Sequence, residues 1–414
     1  MSPDFDWRFS DGEDYTASRR PALHKPRRRI WLAVLAVVIL AGGSVSVWWR
    51  LNRDDLRQQD RQLQAVAELE LSSITGGDEE LYLSQQDGSN ASWYRAQESL
   101  AKEVILAPPP APGLEVVSVA IEQARVVGDV GRVELVVTAA SSGQELSAFS
   151  ATRFYRQGFG ARWLHAMPDA EYLGPIRVWL GEYVRLVGYE ADAEWLRPVA
   201  SHLEGTGRNI CVLLECQELP VTIVFTDTIG GSVPQDALPA PVVSGRPMDE
   251  TAESIWRAAL DELLLDRIVD RETGISEEVL VGKPPSMVFI ARRLRERIRV
   301  QIGLRPWIVL DTEPVGDALE SGRWLTLEDM EGFTAHAAEE ANPLLLHEVD
   351  LFLTFAVSNY GERGVRDLLR AIPESGSLSD LVLRAFGQDL KTLDGMFLGY
   401  AEVLTGRSLP LHSD

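Results

Sequence analysis

Cysteine and histidine are scarce in this sequence, which has only two cysteines and six histidines among 414 residues. Zinc centres take three or four protein ligands from these two residue types and from carboxylates. The two cysteines, Cys211 and Cys216, have no further cysteine and no neighbouring histidine beside them in the chain. The pair alone therefore does not make a zinc site.

The cysteine pair has two states that the sequence leaves open. Outside the reducing cytosol, an isolated pair can close a small disulfide loop. If Cys211 and Cys216 lay on one strand, their odd spacing would point them to opposite faces, so a disulfide would need a turn between them. The alternative is a pair of buried free thiols. We keep the two residues as a candidate disulfide.

Familiar catalytic motifs are also missing. The sequence contains no G-x-S-x-G motif, no Walker-type phosphate loop and no C-x-x-C redox pair. The net charge is −22, and no basic stripe is evident after the first 29 residues, which argues against a nucleic-acid partner. No repeat of solenoid length is visible. We predict neither a cofactor nor a bound metal.

One long uncharged run is present, residues 30–49, with the sequence IWLAVLAVVILAGGSVSVWW. A helix of this length spans roughly 30 Å, the thickness of the hydrocarbon core of a bilayer. Trp31, Trp48 and Trp49 lie at its ends, where indole rings favour the headgroup region. The run predicts a single transmembrane helix, and a buried core helix is the alternative.

Charges beside this run predict its orientation. Residues 1–29 form a basic leader, predicted to be disordered, whereas the basic residues after Trp49 alternate with aspartates. Clusters of Lys and Arg stay on the cytoplasmic side, so we expect a cytoplasmic N-terminus and an extracytoplasmic remainder at a bacterial cell membrane. A cleaved signal peptide is the alternative, but the long leader and the missing A-x-A site argue against it.

Residues 50–170 change from a helical to a two-residue hydrophobic period. Helical runs precede the Gly76-Gly77 pair, and Ser92 offers an N-cap for a further helix. From Leu114 the apolar residues alternate in strand-like runs separated by glycine-containing loops. This order predicts an α+β fold in which an antiparallel cup packs on a helix. It resembles cystatin-like and NTF2-like arrangements, and His165 is interpreted as a packing residue.

Residues 171–408 begin with strand-like segments and continue as helices. We expect a strand within 176–189, a helix at 191–204 and a buried strand at 218–227. From Asp249 onward almost every segment has a helical period. The prediction is a mostly helical second domain.

This second half resembles gluzincin-type, peptidase-MA-like domains over roughly residues 176–405. The likeness rests on VTIVFTD before a helix, on Tyr360-Gly361 after a long helix, and on the turn Ala385-Phe386-Gly387. The resemblance implies a helix carrying HExxH. In that motif the two histidines at i and i+4 bind zinc, and the glutamate activates water.

The positional match to HExxH is Asp261-Glu262-Leu263-Leu264-Leu265. Asp261 and Leu265 replace the two histidines, and leucine cannot ligate a metal. Asp261 and Glu262 remain as the only candidate catalytic residues.

Other segments offer no better match. Residues 347–351 start as His-Glu but end in Leu351, and residues 292–296 are cationic where a metal cation would bind. His202 and His336 stand alone in helical runs and are interpreted as solvated or satisfied side chains.

We therefore predict four regions: a leader (1–29), a transmembrane helix (30–49), an α+β cystatin/NTF2-like region (50–170) and a degenerate peptidase-MA-like domain (171–408). The predicted function is non-catalytic, a pseudopeptidase that binds or scaffolds a protein or peptide ligand outside the membrane. Two alternatives stay open. One is a metallopeptidase-like or metal-free hydrolase using Asp261 and Glu262, and the other is a transmembrane signalling protein.

Overall fold

The computed structural model describes residues 54–140, 146–158, 160–217, 220–227, 237–306, 310–331 and 343–409. Residues 59–414 form one compact unit, and residues 1–58 form another. Only residues 54–58 of the latter are described, as the start of a helix. The predicted boundary near residue 170 stays a prediction.

An antiparallel sheet packs on the first helix. Helix α1 covers residues 54–75. The sheet has the order β1-β2-β3-β4, and the short β9 pairs with β3. Its strands are β1 (Glu115–Val127), β2 (Val130–Ala140), β3 (Ser147–Gln157), β4 (Trp163–Ala166) and β9 (Arg246–Pro247). The alternating apolar residues of β2 are buried, as the two-residue period requires. The predicted α+β class with an antiparallel sheet and helices is confirmed.

Helix α1 approaches this sheet closely at Gly131. A Cβ atom there would lie 2.8 Å from both methyl groups of Leu63, which is fully buried. Only glycine fits against Leu63 without a shift of the packed helix.

Two helices, α2 (Glu79–Leu83) and α3 (Ala91–Lys102), follow α1. The N-cap of α3 is Asn90 and not the predicted Ser92. The side-chain oxygen of Asn90 accepts hydrogen bonds from the backbone N–H groups of Ser92 and Trp93, both at 3.1 Å. Asn and Ser are both favoured N-cap residues, so composition alone does not decide which of them caps the helix.

The second sheet has the order β5-β6-β7-β8, with β5 antiparallel to β6 and the other pairs parallel. Its strands are β5 (Ile176–Leu180), β6 (Val184–Tyr189), β7 (Val221–Thr226) and β8 (Ala237–Pro239). Helix α4 (Ala170–Leu173) precedes the sheet. Helix α5 (Ala193–Leu214) connects β6 to β7, and α6 (Pro241–Ser244) follows β8.

The segment 176–189 forms a hairpin and not one strand. Its turn is held by Glu204 of α5, whose carboxylate accepts the backbone N–H groups of Glu182, Tyr183 and Val184 at 2.8 to 3.2 Å. This partner lies about twenty residues away in the chain, so the local pattern did not reveal the turn.

Nine further helices lie in the described residues after β9. They are α7 (Glu250–Thr273), α8 (Glu277–Val281), α9 (Pro285–Gln301), α10 (Glu313–Glu320), α11 (Leu327–Glu331), α12 (Pro343–Tyr360), α13 (Glu362–Ala371), α14 (Leu378–Phe386) and α15 (Leu390–Thr405). Asp249 caps α7, and Gly274 ends it in the left-handed conformation. The fully buried Trp256 of α7 donates its indole N–H to the carbonyl of Pro110 at 3.0 Å. This bond ties α7 to the segment that leads into β1.

The predicted membrane-spanning helix is corrected. Its residues, 30–49, lie outside the described residues, and no helix among those described has both the length and the apolar character needed to cross a bilayer. The longest described helices, α1, α5 and α7, carry charged residues along their length, and α12 contains Glu348 and Asp350. This finding contradicts the predicted transmembrane fold, membrane partner and single-pass location at a cell membrane, and we do not carry them further.

Cys211 and Cys216 are joined in a disulfide, with their Cα atoms 4.9 Å apart. Cys211 lies on the last turn of α5, and not on a strand. Glu215 then adopts the left-handed conformation, with φ of 52°, and ends the helix. This reversal supplies the turn that brings Cys216 back to Cys211.

We expect reduction of this disulfide to lower the free energy of unfolding by about 2 kcal/mol, from the chain entropy of a six-residue loop. Urea unfolding of the purified chain with and without reductant measures the difference. The C211A/C216A variant is the matched control, since reductant has no bond to break in it. Identical unfolding curves of the unmodified chain in both conditions would contradict the expectation.

Candidate functional site

Asp261 and Glu262 both lie on α7, but they point in different directions. Consecutive helical residues are rotated by about 100° from each other. Asp261 therefore faces α5, and Glu262 faces α9. The structure does not bring the two candidate carboxylates together on one substrate.

Asp261 is buried between α5 and α7. Its Oδ2 lies 2.8 Å from Nε2 of His202, and its Oδ1 accepts a hydrogen bond from the hydroxyl of Thr206, also at 2.8 Å. Both carboxylate oxygens are therefore engaged. The contact also occupies Nε2, the ring nitrogen that is farther from the main chain, which leaves only Nδ1 for a substrate. The arrangement ties two helices together and is poorly suited to general base catalysis.

Glu262 lies in an arginine cluster. Its carboxylate pairs with Arg299 of α9, and its second oxygen lies 3.4 Å from Arg305. Arg299 also contacts Asp266 at 3.2 Å and Glu296 at 3.0 Å. A glutamate that activates water needs a free oxygen beside the metal. Here guanidinium groups take that place, and Leu265 at the second histidine position is fully buried.

The partial motif at 347–351 is also internal. Glu348 is fully buried on α12, and one of its oxygens accepts the backbone N–H of Leu325 at 3.1 Å. Burial raises the pKa of Glu348 to about 8, so the side chain is mostly protonated at neutral pH. Leu351 is fully buried as well.

The cationic segment 292–296 is largely paired. Arg293 forms two hydrogen bonds with Asp350, and Arg295 contacts Asp270 and the carbonyl of Ile275. His336 lies outside the described residues. Among the residues that the structure does describe, no three His, Cys, Asp or Glu side chains are grouped so that they could hold a metal ion.

A buried polar centre that the sequence reading missed surrounds Glu70 of α1. Glu70 is fully buried and accepts hydrogen bonds from Arg153 at 3.1 Å and from the Tyr155 hydroxyl at 2.7 Å. Nδ1 of His165 lies 2.8 Å from the same carboxylate. The sequence contains a signal for this centre, because a glutamate occupies the apolar stripe of the helix. The stripe follows helical spacing and consists of Leu63, Ala67, Glu70 and Ile74.

The charges of this centre balance. Burial alone would raise the pKa of Glu70, but His165 and Arg153 outweigh that effect and lower it to about 2. Burial lowers the pKa of His165 itself, against the attraction of the Glu70 carboxylate. Arg153 is the permanent positive charge beside Glu70. The centre is a buried ion pair with hydrogen-bonding neighbours.

The cavity next to this centre is too small for a substrate. Its volume is about 20 Å³, and Tyr82, Trp93, Gln97, Arg153 and His165 are among its lining residues. A site of this size holds about one water molecule. We therefore infer that the Glu70 centre stabilises the packing of α1 on the sheet.

A groove of about 630 Å³ lies between the C-terminal end of α5, the end of α9 and α13. Charged residues from these elements line it: Arg208, Glu215, Glu362, Arg363 and Arg366. Glu215 pairs with Arg366, and Glu362 accepts a hydrogen bond from Gln301 at 2.6 Å. Arg208 contacts the ring of Tyr183, with 5.9 Å between guanidinium carbon and ring centre.

A smaller cavity of about 70 Å³ lies between α9 and α12. Its apolar lining consists of Val300, Leu310 and Leu353, and Arg297 is among its polar residues. Gln301 lines both this cavity and the groove, so the two are neighbours on one surface.

Comparisons with known proteins do not identify a relative: no family model, no curated protein and no solved structure matches this chain. The function is therefore inferred from the geometry of the described residues.

We expect the E70Q variant to lose about 3–5 kcal/mol of stability, because it leaves Arg153 buried without its counter-charge. The exposed Glu68 on the same helix provides the control E68Q, which should unfold like the unmodified chain. Thermal and urea unfolding measure both variants.

The pH dependence offers a second readout. A carboxylate whose pKa is lowered by folding contributes stability above its ordinary pKa, and this stability is lost as the pH falls towards 2. The unmodified chain should therefore lose stability below about pH 4.5 more steeply than E70Q. Equal slopes would contradict the assignment.

Proposed function

We propose that this chain is a non-catalytic binding protein, a pseudopeptidase, that holds an acidic peptide segment in the groove between α5, α9 and α13. Two features support the proposal. Asp261 and Glu262, the carboxylates at the expected catalytic position, are bound to other side chains of the protein. A groove lined by arginines lies open elsewhere on the same unit. The likeness to peptidase-MA-like domains stays a prediction within this proposal.

The internal pairing argues against catalysis. Asp261 is engaged by His202 and Thr206, and Glu262 by Arg299 and Arg305. Hydrolysis of a peptide by either carboxylate would first require breaking partly buried ion pairs, which costs several kcal/mol.

The size and charge of the groove favour a peptide. A volume of about 630 Å³ falls within the range typical of ligand sites, roughly 300–1,000 Å³. Three arginines and two glutamates line it, and Arg363 also pairs with Asp367. Arg208 is therefore the lining arginine without a carboxylate partner among the described residues, whereas the whole chain carries a net charge of −22. Charges farther away than about 8–10 Å are largely screened at physiological salt, so the local charge decides which ligand is attracted.

The arginines of the groove also retain donor capacity. Arg366 is nearly buried, and its Nε–H has no hydrogen-bond partner despite the ion pair with Glu215. The exposed Arg208 has only a distant ring contact. A carboxylate of a bound peptide would satisfy these donors with charge-assisted hydrogen bonds. The exposed Arg208, which has no carboxylate partner among the described residues, is the observation that carries the proposal.

Fluorescence anisotropy with a labelled decapeptide of alternating Glu and Ala tests it directly. We expect this peptide to bind more tightly than its Lys–Ala counterpart, with affinity that falls as salt is added. R208A and R363A should each weaken binding by about two- to fivefold, the range expected for solvent-exposed ion pairs.

The matched control is R384A on α14. Arg384 pairs with Asp380 four residues away, as Arg363 pairs with Asp367, but it lies outside the groove. R384A should leave peptide affinity unchanged. Equal binding of the acidic and basic peptides, or an equal loss in R384A and R363A, would refute the groove as the binding site.

A further inference from the structure

We infer that the cavity between α9 and α12 is a binding site for an aliphatic carboxylate, with Arg297 as the group that recognises its charge. This inference does not depend on the proposed function, because the cavity and its arginine are distinct from the arginines of the groove.

Arg297 differs from its neighbours on α9. Arg293 forms two hydrogen bonds with Asp350, Arg295 contacts Asp266 and Asp270, and Arg299 contacts Glu262, Asp266 and Glu296. Within the described residues, Arg297 forms one hydrogen bond, which its Nη1 donates to the hydroxyl of Thr354 at 3.5 Å. Its buried Nε–H has no hydrogen-bond partner.

The carboxylates around Arg297 are committed elsewhere. Asp350 and Glu362 both attract the guanidinium, but Asp350 is held by Arg293 and Glu362 by Gln301. Glu296, which also lines the cavity, pairs with Arg299. Two arginines and two carboxylates line the cavity, and both carboxylates have closer arginine partners, so Arg297 has no ion-pair partner among the described residues. Burial lowers the pKa of Arg297, in line with a charge that lacks a close partner.

The shape of the cavity selects the kind of anion. Val300, Leu310 and Leu353 form an apolar wall beside Arg297 and Thr354. The volume of about 70 Å³ compares with about 30 Å³ for one water molecule in the liquid, so there is room for a carboxylate and a short carbon chain. Inorganic phosphate or sulfate would leave the apolar wall unused. A guanidinium with a planar fork binds a carboxylate through two parallel hydrogen bonds.

Titration of the full chain with butyrate, followed by NMR line shape of the ligand, tests the inference. Butyramide, which has the same shape without the charge, serves as the ligand control. We expect butyrate to bind at least tenfold more tightly than butyramide and than phosphate. R297Q should reduce butyrate affinity at least tenfold, whereas R292Q, which changes an exposed arginine on the same helix, should have no effect.

Stability measurements separate loss of the site from loss of the fold. Because Arg297 has no ion-pair partner among the described residues, R297Q should melt at or above the temperature of the unmodified chain. Equal binding of butyrate and butyramide, equal binding of phosphate, or unchanged butyrate affinity in R297Q would each overturn the inference.

The source of the carboxylate is distinguished by a further arm of the experiment. The tripeptide Ala-Val-Leu is titrated with a free and with an amidated C-terminus. Binding of the free acid alone, lost in R297Q, identifies a peptide C-terminus as a source. Binding of butyrate without the tripeptide identifies a small free acid. Both results support the carboxylate site.

Discussion

The ion pairs of α9 hold the helical half together, because they connect α9 to α7 and to α12. Arg295 and Arg299 reach the carboxylates of α7, and Arg293 reaches Asp350 of α12. These pairs are partly buried, so removing one partner leaves a costly unpaired charge. The carboxylate of Glu262 is occupied by the ion pair with Arg299, and the carboxylate of Asp261 is occupied by the contact with His202. Arg292 is exposed, whereas Arg297 is partly buried beside a cavity and has no ion-pair partner in the described residues, so Arg297 is the residue of α9 placed to bind an anionic ligand.

Much of the fold followed from hydrophobic periodicity. The two-residue period after Leu114 correctly indicated an antiparallel sheet, because every second side chain of β2 is buried. The turn within 176–189 is not predicted because Glu204, a partner distant in the chain, fixes it. The cap of α3 differs by two residues from the prediction because Asn90 and Ser92 are both suitable N-cap residues. The transmembrane assignment rested on the length, the apolar character and the terminal tryptophans of residues 30–49, and it is contradicted because no described helix is long and apolar enough to cross a membrane.

The candidate site was less predictable, for the same reason. Asp261 and Glu262 do lie on a helix as expected, but their roles are set by His202, 59 residues away, and Arg299, 37 residues away. A local sequence pattern cannot show contacts between residues so far apart in the chain. The disulfide depends on Glu215 in a left-handed conformation, which the sequence around Cys211 does not specify. Glu70 could have been found, since a charged residue in the apolar stripe of a helix requires a buried partner.

The zinc content of the purified chain, prepared without chelators and measured by elemental mass spectrometry, tests whether Asp261 belongs to a metal site. We expect far less than one zinc per chain, unchanged in D261A and H202A, because Asp261 and Glu262 are held by internal partners. One zinc per chain that is lost in D261A or H202A would contradict this expectation, and would show that the α5–α7 contact is a metal centre.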